Sequence, residues 1–169
     1  MKNILAISAS ALALAVSAPA LAQNVSDVDQ LGNSNDATVN QTGSNTSDID
    51  QDGDGNIAAN TQSGSGNSST IDQDAFLASA DVTQTGTGNS STIDQDDPDV
   101  APGQGGTIGV ADYDPDATVS QNGVANISTI NQTIAAGGGF NQTANVDQSG
   151  DDNLSSIDQN SDGPGYTGG

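Results

Sequence analysis

Glutamine recurs through this chain in a frame of eleven residues. Gln30, Gln41, Gln51, Gln62, Gln73, Gln84 and Gln95 follow one another at steps of 11, 10, 11, 11, 11 and 11. After a longer gap the frame resumes at Gln121 and Gln132, and after another at Gln148 and Gln159. Eleven of the 14 Gln residues stand in it. The residues ahead of each Gln repeat as well. Asn-Ser-Ser-Thr-Ile-Asp-Gln at 67–73 recurs unchanged at 89–95, with close copies at 126–132 and 153–159. The unit is Asn-x-(Ser/Ala)-x-(Ile/Val)-x-Gln. Looser copies occupy 24–30, 35–41 and 45–51, and the least regular are 56–62, where Asn60 replaces the aliphatic residue, and 142–148. A short unit repeated at fixed period limits the chain to architectures that stack copies of one element.

Each unit alternates with period two. Asn, Ser or Ala, Ile or Val, and Gln fall on one side of an extended strand, and residues such as Ser68, Thr70 and Asp72 on the other. A helix would scatter these positions, and Ile, Val and Thr favour strand. Gly and Asn between units, as in Ser63-Gly64-Ser65-Gly66-Asn67, supply reversals. Antiparallel hairpins in a small sandwich are the ordinary alternative. Each strand here carries about one Ile or Val, too little apolar burial to offset chain entropy. Stacking identical rungs in register removes the difficulty, because each inward Asn or Gln can then bond to its own copy above and below. The expected fold is all-β, a parallel in-register β-solenoid of about five strand-turn-strand rungs. The expected rungs pair Gln41 with Gln51, Gln62 with Gln73, Gln84 with Gln95, Gln121 with Gln132, and Gln148 with Gln159, leaving 24–30 as an extra half at the start. At a strand spacing of about 4.8 Å, such a stack is roughly 24 Å tall.

Composition agrees with this economy. Two Phe, two Tyr and no Trp in 169 residues cannot fill an ordinary core. The chain has no Cys and no His, which excludes a disulfide framework, a thiolate nucleophile, an imidazole base and a zinc-type site. All 22 acidic residues are Asp, and the one basic residue is Lys2. Nothing offers a cationic surface to nucleic acid or anionic lipid. No base or nucleophile pairs with the carboxylates, so an enzyme has no support.

Residues 1–22 read as a secretory signal peptide: Lys2, an apolar run too short to span a membrane, then Ala20-Leu21-Ala22 with cleavage between Ala22 and Gln23. No later segment is apolar enough to span. An N-terminal segment with a partial repeat covers 23–34, and the repeat region covers 35–159. Insertions near 96–114 and 133–141 are expected in the arcs from one rung to the next, and 160–169 reads as a Gly-rich flexible tail.

The motif, joined through Gln-x-Gly-x-x-Asn, resembles the curlin repeat over roughly residues 24–159. Curlins are secreted subunits of curli, the functional amyloid fibres of bacterial surfaces and biofilms. The resemblance implies Sec export through the periplasm, passage through an outer-membrane secretion pore, and nucleated self-association into fibres that serve adhesion. A separate nucleator subunit would start polymerisation. It also implies that inward ladders hold the fibre. By position these are Gln41, Gln51, Gln62, Gln73, Gln84, Gln95, Gln121, Gln132, Gln148 and Gln159, with Asn67, Asn89, Asn126 and Asn153, Ser69, Ser91, Ser128 and Ser155, and Ile71, Ile93, Ile130 and Ile157. The near-complete rungs favour the major fibre subunit over a curli nucleator. The chain departs from the family in its scarcity of aromatics, its many Asp residues and its lack of Lys and Arg after residue 22.

Asp50, Asp72, Asp94 and Asp158 precede frame Gln residues and would stack into an outward column of like charge. Salt, divalent cations or acid should then favour assembly. The plainer reading makes these Asp residues solvated gatekeepers against early aggregation. Asp50, Asp52 and Asp54 imitate the start of a calcium loop, but its twelfth position is Thr61 rather than Glu. The competing function is accordingly a calcium-stabilised secreted β-solenoid adhesin. No cofactor is expected beyond weak divalent-cation binding by surface Asp.

Overall fold

The structure, a computed structural model, describes residues 23–97, 115–134 and 142–161. The expected signal peptide, with Ala22, lies outside the described residues, as do most of both insertions and residues 162–169 of the tail.

The described residues form strands β1 (Val25–Leu31), β2 (Asp36–Asp54), β3 (Ile57–Phe76), β4 (Ser79–Thr87), β5 (Ser90–Asp96), β6 (Asp116–Val124), β7 (Ile127–Ile134), β8 (Thr143–Asp151) and β9 (Leu154–Ser161). All strand pairs are parallel and in register. The architecture is a β-solenoid. Its first face stacks 36–44 of β2, 57–65 of β3, β4, β6 and β8. Its second face stacks β1, 46–54 of β2, 68–76 of β3, β5, β7 and β9. β1 is thus a half-rung with nothing beside it on the first face among the described residues.

Register follows the Gln frame. Gln41, Gln62, Gln84, Gln121 and Gln148 align on the first face, and Gln30, Gln51, Gln73, Gln95, Gln132 and Gln159 on the second. A slip of one residue would turn every inward side chain to solvent, so the alternation fixes this register. The single step of 10 is absorbed by a register shift between Ser44 and Thr46, where Gly66 of the next rung has no counterpart.

The apolar core lies between the faces and is narrow. Ile49, Ile71, Ile93 and Ile130 line the second face, opposed by Ala58, Ala80, Ala117, Ala144, Val82, Val119 and Val146. Asn60 occupies the valine row, fully buried, and its Nδ2 donates to Ser47 Oγ at 2.6 Å. Ile57, Ile127 and Leu154 point outward and are exposed.

The arcs stack too. Gly43, Gly64, Gly86, Gly123 and Gly150 align down the first face, each with positive φ. A Cβ on Gly43, Gly64, Gly86 or Gly123 would overlap the carbonyl oxygen of the next glycine in the column. Leu77 (φ 57) and Ala125 (φ 56) also take left-handed conformations, at corners equivalent to Gly55 and Gly66. Such residues are strained by about 1–3 kcal/mol and persist because the surrounding rungs determine them.

Three boundaries differ from the sequence reading. β5 reaches Asp96, and the Asp97 amide donates to the Asp74 carbonyl, so strand pairing enters the first expected insertion. β7 includes Thr133 and Ile134, with Ile134 fully buried, which trims the second. β9 runs through Asn160 and Ser161, which pair with Thr133 and Ile134. In each case a neighbouring strand still offers an edge, and backbone pairing continues past the repeat motif. Both insertions connect a second-face strand to the first-face strand of the following rung.

Candidate functional site

Two columns of buried amides run the length of the molecule. On the first face, Gln41 Nε2 donates to Gln62 Oε1 (2.7 Å), Gln62 to Gln84 (2.7 Å), Gln84 to Gln121 (2.8 Å) and Gln121 to Gln148 (2.8 Å). On the second, Gln30 donates to Gln51 (2.6 Å), Gln51 to Gln73 (2.8 Å), Gln73 to Gln95 (2.9 Å), Gln95 to Gln132 (2.9 Å) and Gln132 to Gln159 (2.8 Å). From Gln41 onward each amide nitrogen has a second hydrogen that crosses the core. Gln62 Nε2 reaches the Thr46 carbonyl (3.0 Å) and Gln84 that of Ser68 (3.0 Å). From the other face, Gln73 reaches Ile57 (3.1 Å) and Gln95 reaches Ser79 (3.0 Å). One side chain therefore ties its rung to the next and its face to the opposite one. The repeat spacing foretold the columns, but nothing in it signalled the cross-core bonds.

Asn residues form a further column with the opposite polarity. Asn67 donates its backbone N and Nδ2 to Asn45 Oδ1 (3.2 and 3.0 Å), Asn89 to Asn67 (3.0 and 3.1 Å), Asn126 to Asn89 (3.1 and 3.1 Å) and Asn153 to Asn126 (3.0 and 2.8 Å). Gln side chains thus donate to the following Gln, and Asn side chains to the preceding Asn, while Asn67, Asn89 and Asn126 Nδ2 also donate to the Gly86, Gly123 and Gly150 carbonyls of the following rung. Ser69, Ser91 and Ser128 are buried between these columns, and Ser91 Oγ donates to Ser69 Oγ at 3.3 Å. Ile71, Ile93 and Ile130 are fully buried, whereas Ile157, Ser155, Gln159 and Asn153 in the last rung are half-buried.

Among the described residues both ends of the stack are open. At the C-terminal end, Gln148 and Gln159 donate across the core to Ile127 (3.0 Å) and Thr143 (3.1 Å), with no following Gln among the described residues. Asn153 Oδ1 likewise has no following Asn. At the N-terminal end the arrangement inverts. Gln30 and Gln41 present Oε1 atoms that accept from no Gln among the described residues, and 36–44 of β2 present an unpaired edge.

The outward Asp residues fall into columns. Asp29, Asp50, Asp72 and Asp94 align, and Asn131 separates them from Asp158. A second column, Asp52, Asp74 and Asp96, lies two residues further along each strand. The sequence reading overlooked it, although an Asp directly after Gln51, Gln73 and Gln95 was there to be seen. Partial burial, then repulsion from Asp94, Asp50, Asp74 and Asp96, raises the Asp72 pKa above its ordinary value. Partial burial and neighbouring Asp residues do the same for Asp50, Asp74 and Asp94.

This geometry does not form a calcium loop from Asp50, Asp52 and Asp54. They lie within β2, with Gly53 at φ 125 between Asp52 and Asp54, and Asp54 Oδ1 accepts from the backbone N (2.7 Å) and Nδ2 (3.0 Å) of Asn33. Among the described residues no three acidic side chains gather closely enough to hold a metal ion. An extended strand separates alternate side chains by about 7 Å, too far for one ion to be shared as in a looped site.

Residues 44–74, which span the second half of the first full rung and all but the end of the next, match the family model described as the curlin associated repeat. Over that stretch the chain is similar to the curlin repeat. The matched stretch contains Asn45, Gln51, Gln62, Asn67 and Gln73 of the buried amide columns. Comparisons with curated proteins and with solved structures returned no match. Among the described residues no helix is long and apolar enough to cross a membrane.

Proposed function

We propose that this chain is the structural subunit of an extracellular, curli-like amyloid fibre, built by end-to-end stacking of solenoids and serving adhesion and the biofilm matrix. The observation that carries this reading is the complementarity of the two ends. The C-terminal end offers Gln donors on Gln148 and Gln159, and the N-terminal end offers Gln acceptors on Gln30 and Gln41. Unpaired strand edges accompany both sets, and such edges recruit further strands. Copies therefore join head to tail, a heterologous contact that does not close on itself and so propagates. The chain travels through the periplasm to an outer-membrane pore as an unfolded polymer, and a nucleator subunit starts the fibre.

The test is incubation of the purified chain from Gln23 onward, followed by fibre diffraction. Fibres with a meridional spacing of about 4.8 Å support the reading. A chain that remains monomeric and folds on addition of calcium favours the adhesin instead.

A further inference from the structure

The solenoid contains an odd number of strand layers. The first face carries five, ending in 36–44 of β2 and β8, and the second carries six, ending in β1 and β9. Two copies stacked with β1 in place would pair β9 with β1 of the next copy. The first face would then lack one layer at every joint. Gln148 and the next copy's Gln41 would stand two strand spacings apart, about 10 Å, with Ala37, Val39, Ala144 and Val146 bordering the gap. Buried amides left without partners are destabilising.

We propose that the joint between copies is rung on rung, with β8 and β9 of one copy seated on β2 of the next and β1 displaced from that position. This inference rests on the fibre reading above. β9 and β1 carry the same motif, Asn-Leu-Ser-Ser-Ile-Asp-Gln at 153–159 and Asn-Val-Ser-Asp-Val-Asp-Gln at 24–30, so they compete for one edge. Carrying the internal register across the joint sets Gln159 on Gln51, Ile157 on Ile49, Gln148 on Gln41 and Val146 on Val39. Gln148 and Gln159 then find the Oε1 acceptors they lack, and Asn45 donates to Asn153.

β1 is the weaker occupant for three reasons. It is exposed along its whole length, with Val28 43% exposed over Ile49. It sets Asp27 against Asp48 and Asp29 against Asp50, two like-charge cross-strand pairs, where β9 would keep one, Asp158 against Asp50, and set Ser156 against Asp48. It also holds only seven registered pairs, whereas β8 and β9 hold nine and eight with their present neighbours. In the free chain β1 therefore covers an edge that the fibre uses.

Two experiments test the joint. Each copy should advance the fibre by five layers, about 24 Å, and a retained β1 would give six, about 29 Å. Mass per length measured on wild-type fibres separates these, and the longer advance overturns the proposal. The chain has no native cysteine, so Asp27→Cys with Asp48→Cys places one pair at strand spacing, about 4.8 Å between Cα atoms and within disulfide range. Oxidised, this variant should elongate wild-type seeds about tenfold more slowly or less than the same variant reduced, because the occupied edge is shut. Equal rates overturn the proposal. Wild-type chain that forms no fibre at all counts against the proposed function itself.

Discussion

Gln73 Nε2 donates to Gln95 Oε1 at 2.9 Å in the interior, both residues fully buried. On the same face, Asn89 Nδ2 donates the other way, to Asn67 Oδ1 at 3.1 Å. The two columns carry opposed dipoles along one axis, and together they give each end of the stack a distinct hydrogen-bonding identity. A neutral amide is required at position 95 because it must accept from Gln73 and donate to Gln132 at once. A carboxylate only accepts. Gln95→Glu should therefore block assembly at neutral pH. Burial raises the pKa of the new carboxyl, so protonation stabilises the stack as pH falls and restores the donor. Assembly of this variant should recover in acid, measured as residual soluble chain across a pH series. Equal assembly at neutral and acid pH contradicts the donor requirement.

The carboxylate columns predict the pH response of the unaltered chain. Asp50, Asp72, Asp74 and Asp94 have folded pKa values raised above the ordinary 3.8, by burial first and neighbouring Asp second. The stack then binds more protons than the unfolded chain in the window just above 3.8. Its stability rises as pH falls through the raised values and reaches its full gain below the unfolded value. Assembly should accelerate from pH 7 toward about pH 4, and Asp72→Asn with Asp94→Asn should flatten that dependence. A rate insensitive to pH in the parent chain would contradict this.

The glycine column makes a sharp contrast. A Cβ on Gly86 would overlap the Gly123 carbonyl oxygen, and Gly86 has φ 118. Gly88, with φ 68, has nothing within 4 Å of an added Cβ. Gly86→Ala should destabilise the stack by about 3 kcal/mol or more, through overpacking and strain together. Gly88→Asn should cost about 1 kcal/mol or less, since Asn tolerates the left-handed region. Residual soluble chain after assembly reads both.

Isoleucine position decides its worth. Ile130 is fully buried, and Ile127, three residues earlier in β7, faces outward. Ile130→Ala should cost about 2–5 kcal/mol and raise the soluble residue steeply. Ile127→Thr should remain within about 0.5 kcal/mol of the parent.

The repeat made the fold unusually legible. A period of two within each unit and eleven between units fixes which side chains face inward and which rungs stack, and the columns at Gln73–Gln95 and Asn67–Asn89 follow from identical spacing. What stayed hidden depends on three-dimensional closure. Leu77 and Ala125 adopt positive φ at corners where the sequence shows no Gly, because neighbouring rungs dictate the bend. Strand pairing at Asp96, Ile134 and Ser161 runs past the motif, because a backbone edge needs no motif to be paired. The Asp50, Asp52 and Asp54 pattern, whose twelfth position is Thr61 rather than Glu, lies within β2. A loop signature has no force inside a strand whose neighbours hold it extended.

The account stands on buried amide columns holding a chain that has little apolar core. The most direct test replaces Gln62, Gln73, Gln84 and Gln95 together by Ala and compares the soluble concentration left after seeded assembly with that of a control in which the outward Thr61, Thr70, Thr83 and Thr92 become Ala. Loss of several buried hydrogen bonds at about 1 kcal/mol net each should raise that concentration at least a hundredfold for the Gln variant. The control should stay near the parent. If the Gln variant assembles to the same residual concentration as the parent, the amide columns do not hold the structure.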